Sequence, residues 1–215
     1  MSHVSEAVRE ALLGFDKDRL VETTKKAIEQ GHSPQELLDA ITAALRGVGE
    51  KFEKGEFFLA ELVTAGEAAK TVISEYLKPL LKGDAQGEPL GRIAIGTVAG
   101  DIHDIGKGIV ASMLFTAGFE VKDLGVDVPA EKFVETVRQD KPSVVAMSAL
   151  LTTTLPMQRE TIEALKKSRL RDKVKVIVGG SPVTTEWAQE IGADGYAEDA
   201  VGAVKLVKKI LAISE

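Results

Sequence analysis

Cysteine is absent from all 215 residues. That one absence excludes disulfides, iron–sulfur clusters and thiolate zinc sites, and it suits a reducing cytoplasm. Long apolar runs are missing as well. None approaches the roughly 20 residues that span a bilayer, and the opening Met1-Ser2-His3-Val4-Ser5-Glu6 lacks a signal-like apolar stretch. A cytoplasmic protein without membrane association is expected. Basic charge is in the minority, 27 Lys and Arg against 33 Asp and Glu, for a net charge of −6. This argues against nucleic-acid backbone binding as the main role. Histidine is scarce, with three in the chain, and no repeat or low-complexity tract is apparent. What is present, 44% apolar and 28% charged residues, is ordinary for a globular chain with room for one large or two modest domains.

The first 80 or so residues hold helical patterns and no good strand. A short helix is expected over Ser5–Gly14 and a second from a cap at Asp16 to about Gln30. Ser33-Pro34 then offers an N-cap followed by proline at the first helical position. Leu37, Leu38, Ile41, Ala44, Leu45 and Val48 repeat at helical spacing, and a fourth helix is expected from about Leu59 to Leu81. Four amphipathic helices joined by short turns make an antiparallel bundle. Lys82–Pro89, polar and rich in Gly and Pro, reads as an interdomain linker.

Beyond it, strand and helix alternate. Strands are expected at Arg92–Val98, Glu120–Asp123, Val144–Ser148, Val174–Val178 and Gly195–Ala197. Helices are expected near Gly106–Ala117, Ala130–Gln139, Leu155–Ser168, Thr184–Ile191 and Ala200–Ala212. Five such units predict a flavodoxin/Rossmann-like domain with a five-stranded parallel sheet, covered on both faces and ordered 2-1-3-4-5. The fold class is thus α + α/β, with a helical bundle in residues 1–88 and an α/β domain in 89–215.

Asp101-Ile102-His103-Asp104-Ile105-Gly106 is the most informative stretch. It places a histidine on a strand-to-helix loop, at the carboxyl edge where open α/β sheets bind ligands. A carboxylate two residues earlier is placed to orient the imidazole, as around a metal ligand. Two further signals end later strands on that same edge: Ser148-Ala149-Leu150 and Gly179-Gly180. Each alone is weak, since Gly-Gly after a strand is usually just a turn. Trp187, in the helix after Gly179-Gly180, reads as packing, with lining of the pocket beside those glycines as the lesser alternative, and the charged run Lys166–Lys175 reads as a solvated face.

Together these three signals resemble the signature of the cobalamin-binding domain of methionine synthase and of the small corrinoid proteins of methyltransferase systems. Residues 100–110 and Leu124–Ala130 look like family sequence, and the helical first half resembles the cap bundle that precedes the domain. The resemblance implies cobalamin as cofactor, used as methylcobalamin and cob(I)alamin, with its own lower base displaced. His103 is then the metal ligand (base-off/His-on). Asp101 bonds the other imidazole nitrogen, and Thr154 completes the relay. Ser148 and Leu150 belong to the motif beside the displaced base. Gly106, Gly179 and Gly180 let the backbone approach the nucleotide tail. In the cap, Phe52, Leu59 and Leu62 shield the upper face of the ring.

The resemblance further implies a corrinoid methyl carrier that shuttles a methyl group between two enzymes. One partner is a substrate-specific methyltransferase. The other passes the methyl group to a folate, a pterin or a thiol, and a reductive activase is the third partner. No residue is expected to be catalytic by itself, so the chain is a component of a methyltransferase rather than a stand-alone catalyst. The alternative is a cobalamin-dependent sensor or regulator. Such proteins usually add a DNA-binding module, and nothing basic or helix-turn-helix-like precedes the bundle.

Overall fold

The structure, a computed structural model, describes residues 3–77, 79–80 and 89–213. The chain divides into two compact units, Met1–Pro89 with Phe115–Gly118, and Leu90–Leu114 with Phe119–Glu215.

The first unit is built from α1 (His3–Leu13), α2 (Lys17–Glu29), α3 (Pro34–Glu53) and α4 (Leu59–Val72). Asp16 caps α2 by accepting the Arg19 N–H at 2.9 Å, and Ser33 caps α3 by accepting that of Gln35 at 3.2 Å. Leu12, Leu20, Leu37, Ile41, Leu45, Val48, Leu62, Ala65, Ala69 and Val72 are buried. Their i, i+3, i+4 spacing is the apolar stripe that drives four helices together. The fourth helix is shorter than expected. After Val72 the chain widens into one π-helical turn, Ile73–Leu77, and Pro79 and Leu80 lie in a turn. Pro79 has no N–H to donate and its ring clashes with a preceding helical turn, which suits its place in a turn, and Leu81, the expected end of the helix, lies outside the described residues. The expected linker at Lys82–Pro89 falls, except for Pro89, outside the described residues.

The second unit follows the order β1 (Arg92–Thr97), α5 (Ile105–Thr116), β2 (Glu120–Asp123), α6 (Ala130–Asp140), β3 (Val144–Ser148), α7 (Leu155–Lys167), β4 (Lys175–Gly179), α8 (Thr185–Ile191), β5 (Gly195–Tyr196) and α9 (Ala200–Ile210). All pairings are parallel and the sheet order is β2-β1-β3-β4-β5, as the alternating pattern predicts. Ile93–Thr97, Val144–Met147 and Val176–Val178 are buried because helices cover both faces. β2 departs from the buried pattern of β1, β3 and β4. Glu120, Lys122 and Asp123 are exposed, as suits an edge strand that charge protects from further pairing. The run Lys166–Lys175 is also more than a solvated face. Arg171 pairs with Asp194 at 2.7 Å and donates to the carbonyls of Val174 and Gly192, fastening the approach to β4 onto the approach to β5.

Register is what positions the site. Ser148 lies opposite Thr97 on one side and Gly179 on the other. The carboxyl ends of β1, β3 and β4 therefore align, and their loops emerge from a single edge.

Candidate functional site

The loop after β1 is braced before any ligand arrives. Thr97, buried at the strand end, donates its hydroxyl to the His103 carbonyl at 2.9 Å. The loop after β2 contributes twice: Asp127 Oδ1 accepts the Gly100 N–H at 2.7 Å, and the Asp127 N–H donates to the Asp101 carbonyl at 2.9 Å. Asp127 escaped the sequence reading. Its signal was present, because it lies inside the family-like Leu124–Ala130 stretch.

Asp101 is the hub. It is 0% exposed, and both carboxylate oxygens are engaged. Oδ1 accepts the His103 N–H at 3.1 Å and faces His103 Nδ1 at 2.7 Å. Oδ2 accepts the N–H groups of Leu150 at 2.7 Å and Leu151 at 3.3 Å, and the Thr154 hydroxyl at 2.8 Å. Thr154 occupies the N-cap position of α7 but makes no cap bond there. Its hydroxyl is turned to Asp101, which links α7 to the histidine loop. Burial pushes the Asp101 carboxyl up, yet these hydrogen bonds, led by the His103 ring and N–H, outweigh it and hold the group well below the usual carboxylate range. An ionised carboxylate only accepts, so Nδ1 is the nitrogen that carries the proton. The Nε2 lone pair of His103 is thereby free to bind a metal. The His103 side chain is 47% exposed, so that nitrogen is accessible.

Because the folded-state pKa of Asp101 is depressed, its contribution to stability is complete above the ordinary aspartate range and is lost as the pH falls. The thermal stability of the cofactor-free protein is expected to fall below about pH 4. Asp101→Asn should remove that part of the slope, and an identical slope in both proteins would place the acid sensitivity elsewhere.

Ser148 ends β3 and is partly buried, and Leu150 and Leu151, in the loop that follows, are 40% and 42% exposed. Gly179 ends β4 beside Ser148. Gly180 adopts φ +123°, and a Cβ built there would lie 1.9 Å from the Ala149 carbonyl oxygen. Gly180→Ala is therefore expected to cost at least about 3 kcal/mol, from backbone strain and clash together. Gly106 is the opposite case. It lies in the first turn of α5, and a Cβ there would meet nothing within 4 Å. Gly106→Ala should leave the cofactor-free protein equally stable or about 0.5–1 kcal/mol more so, and any loss it causes should appear in cofactor binding. Differential scanning calorimetry of both variants checks the pair.

The three cap positions differ in their surroundings. Leu62 is fully buried as bundle core, Phe52 is partly buried, and Leu59 is 38% exposed. Phe58, which the sequence reading passed over, is 76% exposed at the N-cap position of α4.

The donor set tests whether a corrinoid fits. Among the described residues no group of three or more His, Cys, Asp or Glu is placed to hold a metal ion. A lone imidazole cannot retain a bare ion against water, but it serves a metal that arrives with its own equatorial ring of ligands. The flanking surface agrees. Ile102 and Ile105, beside His103, are 72% and 80% exposed, and with Leu150 and Leu151 they leave apolar area open for a broad, largely apolar ring. The residues fit the cofactor.

Comparisons with known proteins identify the family. The sequence pattern described as B12 binding domain matches residues 91–205, and a second pattern of that description matches residues 4–76. The trimethylamine corrinoid protein of Methanosarcina barkeri is 48% identical over 94% of each chain. The dimethylamine corrinoid protein of that organism is 44% identical, covering 96% of this chain and 97% of its own. Among solved structures, a chain of the methanol:cobalamin methyltransferase complex from Methanosarcina barkeri superposes with a TM-score of 0.89 at 30% identity, covering 99% of this chain and 81% of that one. A cobalamin-binding protein from Desulfitobacterium hafniense gives a TM-score of 0.67 at 37% identity, with 95% and 97% covered. With both halves of the chain matched in this way, the chain belongs to the B12-binding domain family, with cobalamin as its cofactor.

Proposed function

We propose that this protein is the corrinoid methyl carrier of a methyltransferase system, with His103 as the lower axial ligand. The observation that carries the reading is the His103–Asp101 pair, in which a buried carboxylate fixes the imidazole tautomer and leaves Nε2 outward. When bound, the cofactor supplies a metal centre that accepts and releases a methyl group; the protein supplies orientation and electrostatics. Asp101 holds the Nδ1 proton and adjusts the basicity of Nε2. Thr154 and the Leu150 and Leu151 N–H groups keep Asp101 ionised and fixed. Ser148, Gly179 and Gly180 border the place for the displaced nucleotide base, and Gly106 leaves room beside it.

Relatives named for trimethylamine and dimethylamine favour a methylated amine as donor, delivered by a dedicated methyltransferase. A second methyltransferase takes the methyl group onward to a folate, pterin or thiol, and a reductive activase restores the reduced cofactor. No helix among the described residues is long and apolar enough to cross a membrane, which accords with encounters between partners in solution.

The test is protein reconstituted with hydroxocobalamin, reduced, and offered trimethylamine, dimethylamine or methanol, with and without a methylamine-specific methyltransferase. Spectral conversion of the bound cofactor is expected only with the enzyme and an amine. Conversion by the chain alone would remove the carrier reading. Conversion with methanol and a methanol-specific enzyme in place of the amine pair would reassign the donor.

A further inference from the structure

One turn beyond Thr154 on α7, Gln158 is 0% exposed and its amide is fully engaged. Nε2 donates to the Met147 carbonyl at 3.1 Å and to the Gly179 carbonyl at 3.3 Å. Oε1 accepts the Trp187 indole N–H at 3.0 Å. Met147 is the penultimate residue of β3 and Gly179 the last of β4. One side chain on α7 therefore ties the carboxyl ends of two neighbouring strands together and fastens them to α8. Trp187 is held in turn by Arg159, whose guanidinium carbon lies 4.7 Å from the ring centroid and which pairs with Glu190.

Packing alone does not call for this. A methionine of similar volume would fill the space under the sheet without burying an amide that must find three partners. What the amide adds is direction, since it fixes where the two strand-end carbonyls point. The loops that leave those ends, Ser148–Leu150 and Gly179–Gly180, are already in backbone contact. The Ala149 N–H donates to the Gly179 carbonyl at 3.1 Å, and the Cα of Gly180 faces the Ala149 carbonyl too closely for any Cβ. Thr154, four residues before Gln158, reaches Asp101 from the same helix. A single rigid element thus carries both the relay to His103 and the brace beneath these loops.

We propose that Gln158, with Trp187, is a positioning pair for the nucleotide tail of the cofactor, holding the Ser148–Leu150 and Gly179–Gly180 loops at the separation the tail requires. This rests on the cobalamin reading above. Neither Gln158 nor Trp187 hydrogen-bonds His103 or Asp101, so the loss of the pair should be felt by the tail and not by the ring.

The experiment compares cobalamin with cobinamide, which has the corrin ring but no nucleotide tail. Dissociation constants are measured by absorbance titration for wild type, Gln158→Met and Trp187→Phe, with unfolding of the cofactor-free proteins followed by circular dichroism. Both variants are expected to raise the cobalamin Kd, Gln158→Met by about tenfold, while the cobinamide Kd stays within about twofold of wild type. Equal losses for both ligands would make the pair merely structural and overturn the proposal. So would unchanged cobalamin binding, or wild type that holds cobinamide as tightly as cobalamin. Should Gln158→Met not fold, Trp187→Phe, which deletes one hydrogen bond and keeps a ring, decides by those criteria. Wild type that binds neither corrinoid would remove the cobalamin reading itself, an outcome distinct from all the others.

Discussion

His103→Ala is expected to bind hydroxocobalamin about 100-fold more weakly than wild type and to give a holoprotein with shifted absorption bands. The size follows from what ligands and their supports are worth at metal sites. Removing an outer partner of a metal-bound histidine typically costs 10–100-fold, and removing the ligand sits at or beyond the top of that range. The direction follows from the donor set. Among the described residues no group of three or more His, Cys, Asp or Glu is placed to hold a metal ion, so no such cluster can take over from the lost nitrogen. The apolar rim of Ile102, Ile105, Leu150 and Leu151 remains in the variant, and residual binding is expected because burial of apolar area does not need the imidazole. Stability of the cofactor-free protein should fall by about 1–3 kcal/mol, since buried Asp101 loses the imidazole hydrogen bond but keeps its other donors. Ultraviolet–visible titration reads both quantities. Bands identical to wild type would assign the axial position to another group.

Asp101→Ala is expected to be the most destabilising change at the site even without cofactor, by about 3–5 kcal/mol, a fall in Tm of roughly 6–20 °C for a chain of this size. The side chain is fully buried and accepts from three backbone N–H groups, one hydroxyl and the imidazole. Alanine leaves those donors facing a cavity. Asparagine is the more informative variant because it keeps the shape. Both carboxylate oxygens are surrounded by donors, so either orientation of the amide turns an NH2 toward at least two of them. Asp101→Asn should therefore cost about 1–3 kcal/mol and also release the His103 tautomer, weakening cofactor binding by about 10–100-fold. Thr154→Ser, which retains a hydroxyl, should stay close to wild type in both measurements. Unfolding curves of the cofactor-free proteins, followed by corrinoid titration, separate the two effects. An Asp101→Asn protein as stable as wild type would show that the network is not the keystone its geometry indicates.

Much of this was legible in the residues. Helix starts at Asp16 and Ser33 could be read because capping is local chemistry, settled by one side chain and the N–H groups two or three residues on. The parallel sheet followed from alternating strands and helices, and the order β2-β1-β3-β4-β5 from setting the functional loop of the first strand at the switch point. His103 and Asp101 stood out as a pair because two residues of separation on a tight loop bring imidazole and carboxylate together whatever surrounds them. Where local rules met a neglected residue the reading slipped, as at Pro79, which lies in a turn inside the span expected to be the fourth helix.

The sequence by itself determined the fold class, the family and the edge of the sheet from which the His103 loop emerges. All of these rest on periodicity or on neighbours a few residues apart. Only the tertiary structure decided the partners that meet across long separations. Examples are Thr154 and Leu150 on Asp101, Asp127 on Gly100, and the span of Gln158 from Met147 to Gly179 and Trp187. Side chains are brought to hydrogen-bonding distance over such intervals by strand register and helix packing, which sum contributions from the whole core and leave no local mark in the residues they join.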